Sequence, residues 1–130
     1  NALELRTKIS SLRDVEEKET IGYGATYTAE KKMRVATIPL GYFEGMDLRL
    51  SDKGTVLVRG LPANILGRVS MNITSIEVSA IPDIRIGEAA IAMSAEKNAP
   101  NSVQKIAETC GTIPYEILVH IPAHLRRTVI

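Results

Sequence analysis

The sequence predicts a mainly β fold, a six-to-seven-stranded antiparallel Greek-key barrel with two short helices near the C-terminus. Three observations carry this reading. Apolar and polar residues alternate with a period of two in one segment after another as far as Met93, and clusters of Gly, Pro, Asp and Ser separate those segments. A helical period emerges only from Ser102 onward, and strands never alternate with helices as a parallel sheet requires.

Leu3, Leu5, Thr7 and Ile9 alternate with Glu4, Arg6, Lys8 and Ser10 as a half-buried strand, and 14–20 reads as a charged connection. Residues 21–28 read as a strand punctuated by Gly22 and Gly24, where a bulge forms or another backbone or a ligand approaches closely. The third strand, 33–40, ends near Pro39, which offers no N–H to a ladder. Residues 41–54 form a long loop with room for a helical turn, and long loops in compact domains often carry function. The strands 55–59 and 63–69 flank Gly60-Leu61-Pro62 as a hairpin, followed by strands at 74–78 and 86–93. Val103, Ile106, Ala107 and Cys110 then share one helical face, which predicts a helix over 102–110 with Asn101 or Ser102 as N-cap and Gly111 beyond its end. Thr112 caps a second helix over 113–120 that accepts Pro114 in its first turn and stops at Pro122, and 126–130 return as a final strand.

At 130 residues the chain has the size of a single domain, and 45% hydrophobic against 24% charged residues exclude disordered and collagen-like classes. Sixteen Lys and Arg face fifteen Asp and Glu and are scattered along the chain, so no electrostatic footprint for nucleic acid exists. One cysteine allows no intrachain disulfide, which sets a reducing cytoplasm as the expectation, and no apolar stretch is long enough to span a bilayer. No signal peptide is expected, and Asn1-Ala2 reads as a cloning scar ahead of the pattern that starts at Leu3.

Serine-hydrolase, P-loop and dinucleotide signatures are missing. His120 and His124 stand four apart, but Pro122 lies between them and no Cys or Glu partner has metal spacing, so no metal site is expected. Cys110 on its apolar helix face reads as a small buried hydrophobe rather than a nucleophile. Three of the four tyrosines, Tyr23, Tyr42 and Tyr115, lie in glycine-punctuated loops or at a helix start. Such rings settle at core edges with wet hydroxyls, or act as functional phenols if a cation lowers a pKa near 10. Arg49 and Arg68 are surface ion-pair partners or anion ligands, and spacing does not separate the two.

Gly22-Tyr23-Gly24-Ala25-Thr26-Tyr27, followed by Gly41-Tyr42-Phe43-Glu44-Gly45, resembles the carboxy-terminal domain of bacterial alanine racemase. Gly67-Arg68-Val69-Ser70-Met71-Asn72 is similar to that family's G-R-[VI]-x-M-D segment, Thr112 to Ile117 to its Tyr-Glu segment, and Arg126-Arg127 to its closing arginine. The motifs fall in register over 3–130. The resemblance implies a fold-type III pyridoxal-phosphate isomerase, in which an N-terminal (β/α)₈ barrel, absent from this chain, holds the cofactor. This β domain would close the site of the neighbouring subunit in a head-to-tail homodimer. The implied reaction interconverts L- and D-alanine and supplies D-alanine for peptidoglycan.

By the same resemblance Tyr23 is the second catalytic base, opposite the barrel's lysine, so that each serves one face of the substrate Cα. Tyr42 lines the narrow entrance, the Met71 N–H holds the substrate carboxylate, and Tyr115 contacts the cofactor phosphate and crowds the substrate side chain. Arg49, Arg68 and Asn72 belong to the entrance corridor, although the loop 43–50 is one residue longer than the commonest form and the family usually has Asp where Asn72 stands. The fragment alone is expected to be inactive. The competing readings are a broader amino-acid or serine racemase, a decarboxylase of the same fold type, and a non-catalytic β-barrel interaction module. A decarboxylase would carry a Cys-containing substrate motif, whereas Cys110 lies on a helix.

Overall fold

A computed structural model describes residues 3–21, 27–123 and 125. Nine strands precede two helices: β1 (Leu5–Lys8), β2 (Ser11–Val15), β3 (Thr20–Ile21), β4 (Tyr27–Thr28), β5 (Met33–Ile38), β6 (Thr55–Val58), β7 (Leu61–Leu66), β8 (Thr74–Glu77), β9 (Ala89–Met93), α1 (Val103–Cys110) and α2 (Pro114–Val119). Seven strands form one curled antiparallel sheet in the order β1-β9-β6-β7-β8-β5-β2, and β3 pairs with β4 separately.

The two edge strands are consecutive stretches of one segment. Ile9 still exchanges backbone bonds with the β9 side, donating to Glu88 O at 2.9 Å and accepting from Gly87 N at 2.8 Å, while Ser10 N already donates to Thr37 O of β5 at 2.8 Å. The segment therefore leaves one edge of the sheet and joins the other, curling the sheet and covering groups that an open edge would leave unpaired.

Strands β6, β7 and β8 run as a meander, and β5 reaches β6 through residues 39–54 yet lies beside β8, which is the Greek-key arrangement. That crossing makes the long connection obligatory. Strand β5 has neighbours on both sides and buries both faces. Ala36 and Ile38 enter the main core with Val56, Val58, Ile65, Ile76 and Val78, whereas Met33 and Val35 join Val15, Ile21, Ala29 and Leu66 in a second cluster under β3 and β4. Helix α1 covers the main core with Ile106, Ala107 and Cys110; Ser102 caps it by accepting from Lys105 N, and Gly111 ends it at φ 69°.

The mainly β class and both helices agree with the sequence reading, and several elements correct it. Residues 11–15 form a strand instead of running on into a charged connection. Among the described residues β2 pairs only with β5, and the adjacent charges Arg13 and Asp14, one on each face of this edge strand, break its period. Ile21 and Tyr27 are partners across an antiparallel pair, not members of one strand over 21–28. The β6–β7 turn is Arg59-Gly60, both at positive φ (54° and 73°), and Pro62 sits inside β7 opposite Leu57. Strand β9 begins at Ala89 because Gly87, at φ 92°, turns to bond Ile9. Ile113, not Thr112, is the N-cap of α2. The final strand over 126–130, Tyr23 and His124 lie outside the described residues.

Ile76 is fully buried at the centre of the sheet, opposite Ala36 and Ile65. Ile76→Ala is expected to cost about 2–5 kcal/mol, read as a lower denaturant midpoint at unchanged slope for the full-length chain.

Candidate functional site

The long connection from β5 to β6 makes two short 3₁₀ turns, Tyr42–Glu44 and Leu48–Leu50. Its start lies directly on the segment that follows β7. Tyr42 N donates to Ser70 O at 2.9 Å and Phe43 N to Met71 O at 3.0 Å, and a Cβ added to Gly41 would stand 2.1 Å from Ser70 O and 2.4 Å from the Met71 carbonyl carbon. Only glycine permits that approach. Glu44 closes the first turn by accepting from Gly41 N at 2.9 Å, and its second oxygen accepts from Asn72 Nδ2 at 3.1 Å.

The facing segment, 67–73, is equally anchored. Asp52 Oδ1 accepts from Gly67 N at 2.6 Å and Ser51 Oγ from Val69 N at 2.8 Å, so exposed Arg68 stands between two fixed amides. Ser70 Oγ donates to Ile73 O at 2.8 Å, which shapes the turn through Met71 and Asn72. The Met71 carbonyl accepts from Phe43, while among the described residues nothing accepts from the Met71 N–H.

The second 3₁₀ turn is tied to α2. Asp47 caps it by accepting from Arg49 N at 2.8 Å and also accepts from Arg49 Nε at 3.0 Å and Nη2 at 2.9 Å; Arg49 Nη2 then donates to Glu116 Oε1 at 2.7 Å. Gly45 packs against the end of α2, where an added Cβ would lie 3.3 Å from the Ile121 Cα. The Arg49 hydrogen bonds hold the carboxyls of Asp47 and Glu116 below the usual carboxylate range, helped at Glu116 by Thr112. Burial, with the Asp47 charge next in weight, pushes the Cys110 thiol up to about 11, so it stays protonated at neutral pH and is no nucleophile. Among the described residues no cluster of His, Cys, Asp and Glu can hold a metal ion, and no helix is long and apolar enough to cross a membrane.

The family model for the C-terminal domain of alanine racemase matches residues 2–129. The chain belongs to the alanine racemase C-terminal domain family. It is similar to the alanine racemase of Syntrophobacter fumaroxidans, 41% identical over 89% of this chain and 31% of the relative, and to that of Clostridium perfringens, 38% identical over 97% and 33%. The structure of the biosynthetic alanine racemase from Pseudomonas aeruginosa superposes with a TM-score of 0.85 at 35% identity, covering 96% of this chain and 34% of that one. The chain thus spans about a third of the length of the curated relatives it matches.

Set against the residues that the alanine racemase resemblance singles out, the fold brings Tyr42, Met71 and Asn72 together through the backbone bonds between 41–43 and 70–71, with Arg68 on the same wall. Arg49 stands in an ion-pair bridge to Glu116, the neighbour of Tyr115, so the tie joins the loop of Tyr42 to the helix of Tyr115. Glu44, Asp47 and Glu116, which shape these walls, were not singled out by sequence. A Gly-x-x-Glu spacing at 41–44, akin to a capping box, was the available signal for Glu44.

Tyr42, Phe43, Leu48, Met71, Ile73, Ile113, Tyr115 and Val119 are all exposed, and all lie on these three mutually tied segments. Apolar surface concentrated in this way marks a binding surface.

Because the folded pKa values of Asp47 and Glu116 are depressed, the Arg49 bridge contributes stability that is fully present above the unfolded carboxylate pKa. That contribution is lost as pH falls through the folded values. Arg49→Met is therefore expected to lower the melting temperature slightly at neutral pH, as befits an exposed pair, and to leave it unchanged at a pH below the folded values, so that the acid limb flattens by the same small amount.

Proposed function

We propose that the full-length protein is a pyridoxal-phosphate-dependent alanine racemase of the cytoplasm, in which this domain completes the site of a barrel domain in a second copy of the chain. The observation that carries the reading is the family match over residues 2–129, and it extends to activity because the curated relatives covered along this stretch are named alanine racemase. The exposed apolar face supports it, since a domain that closes another subunit's site needs such a surface.

The donor set here fits one contact with the cofactor and no more: Tyr115, 71% exposed, offers a single phenolic hydroxyl to a phosphate, and the bulk of the binding belongs to the barrel. When bound, pyridoxal phosphate supplies the electron sink for charge developing at the substrate Cα. In this reading Tyr23 as phenolate takes the proton from one face of Cα, becoming the neutral phenol, and as phenol returns a proton there in the reverse direction, the opposite face being served from the barrel. The Met71 N–H, from which nothing among the described residues accepts, orients the substrate carboxylate. Tyr42 narrows the way in, Tyr115 leaves room for a methyl side chain and little more, and Arg49, Arg68 and Asn72 line the corridor outside. Asn72 brings no charge, and its amide already serves Glu44.

In the full-length enzyme Tyr23→Phe is expected to slow proton abstraction from one alanine enantiomer by about 10²–10⁴-fold and to spare the other. Solvent-isotope exchange followed separately on L- and D-alanine reads the difference, and equal losses would overturn the assignment.

Tyr115→Ala is expected to shift the alanine-to-serine ratio of kcat/KM towards serine by about 1–3 kcal/mol, with weaker cofactor binding beside it. Kinetics at saturating pyridoxal phosphate separate the two effects. An unchanged ratio would remove Tyr115 from the substrate's surroundings.

A further inference from the structure

We propose that Glu44 is a positioning residue of the substrate site, acting through Asn72 to clamp the turn that bears Tyr42 onto the turn that presents the Met71 N–H. The inference rests on the racemase reading for its functional consequence and on geometry for the clamp. One carboxylate oxygen of Glu44 accepts from Gly41 N, at the head of its own turn, and the other accepts from Asn72 Nδ2 in the facing segment. The same two segments exchange Tyr42 N to Ser70 O and Phe43 N to Met71 O, and the Gly41 backbone leaves no room for a methyl between them. Asn72 follows Met71 directly, so the side-chain bond fixes the segment immediately after the N–H in question.

The polarity of this clamp requires a donor at position 72. A carboxylate there has no hydrogen to give and would set a second negative charge against Glu44 at hydrogen-bond distance. Asn72 is thus the complement of Glu44, at the position where the family's G-R-[VI]-x-M-D pattern has an acid. The complement is reversible on paper. In Glu44→Gln/Asn72→Asp the introduced glutamine donates through its amide to the introduced aspartate while its carbonyl still accepts from Gly41 N.

The test uses the full-length protein with Asn72→Asp, Glu44→Ala and the double variant Glu44→Gln/Asn72→Asp. Both single variants are expected to raise KM for alanine about 3- to 10-fold with a smaller change in kcat, and the double variant to recover most of the loss. Amide hydrogen exchange is expected to quicken at 41–44 in both single variants and to return towards the wild-type rate in the double variant. A double variant no better than Asn72→Asp, or exchange at 41–44 unmoved in the single variants, would overturn the clamp. If the wild-type full-length protein fails to racemise alanine, the functional reading falls while the exchange rates still decide the clamp.

Discussion

A methyl group on Gly41 would stand 2.1 Å from the Ser70 carbonyl oxygen, well inside contact distance, and the arrangement of the site depends on its absence. The Greek-key order obliges the chain to cross from β5 to a strand three positions away, and the crossing runs through 39–54. A crossing of that length has many conformations, and ordering it is entropically costly. Direct backbone contact at Gly41, with Tyr42 and Phe43 donating to Ser70 and Met71, removes that freedom where it matters. Everything described around Tyr42, Met71 and Asn72 follows from one residue without a side chain.

The walls are then held by polar contacts as well as by buried anchors such as Leu50, Val69 and Ile117. Glu44, Asp47, Ser51 and Asp52 each accept from a backbone amide of the connection or of 67–73, and Arg49 carries the tie across to α2. Beside buried Met46, Leu50, Val69 and Ile117, these segments leave Tyr42, Phe43, Leu48, Met71, Ile73 and Tyr115 exposed. Such a surface is costly for an isolated domain and useful for one that packs against another. The same segments also reach into the core inside the curled sheet and under α1, through Met46, Leu50, Val69 and Ile117, so the site and the core are packed as one unit.

Residues that a motif singles out and residues that shape a site differ in how they show themselves. Tyr42, Met71 and Tyr115 stood out because glycine and proline neighbours and family spacing marked them. Glu44, Asp47 and Glu116 did not, since an isolated acidic residue in a polar loop looks like any solvated charge until its partner is known. Arg49 shows the converse. Sequence left it between surface ion pair and anion ligand, and the structure gives it two carboxylates, one two residues away and one across the fold on α2.

Sequence alone determined the class of the fold, the presence of both helices and the ends of α1, the central strands and the family, because period-two alternation, helical spacing, capping residues and glycine motifs are local signals that survive without knowledge of distant partners. It did not disclose β2, an edge strand whose adjacent charges Arg13 and Asp14 break the alternation, nor the split of 21–28 into two partners, nor that Pro62 lies inside a strand. The β2–β5 pairing, the Glu44–Asn72 bond and the Arg49–Glu116 bridge join residues far apart in the chain, while Ile21 with Tyr27 and Leu57 with Pro62 are partners across short turns. Only tertiary structure decided them, because pairing register and charge complementarity are properties of two segments at once, and each segment alone is compatible with many partners.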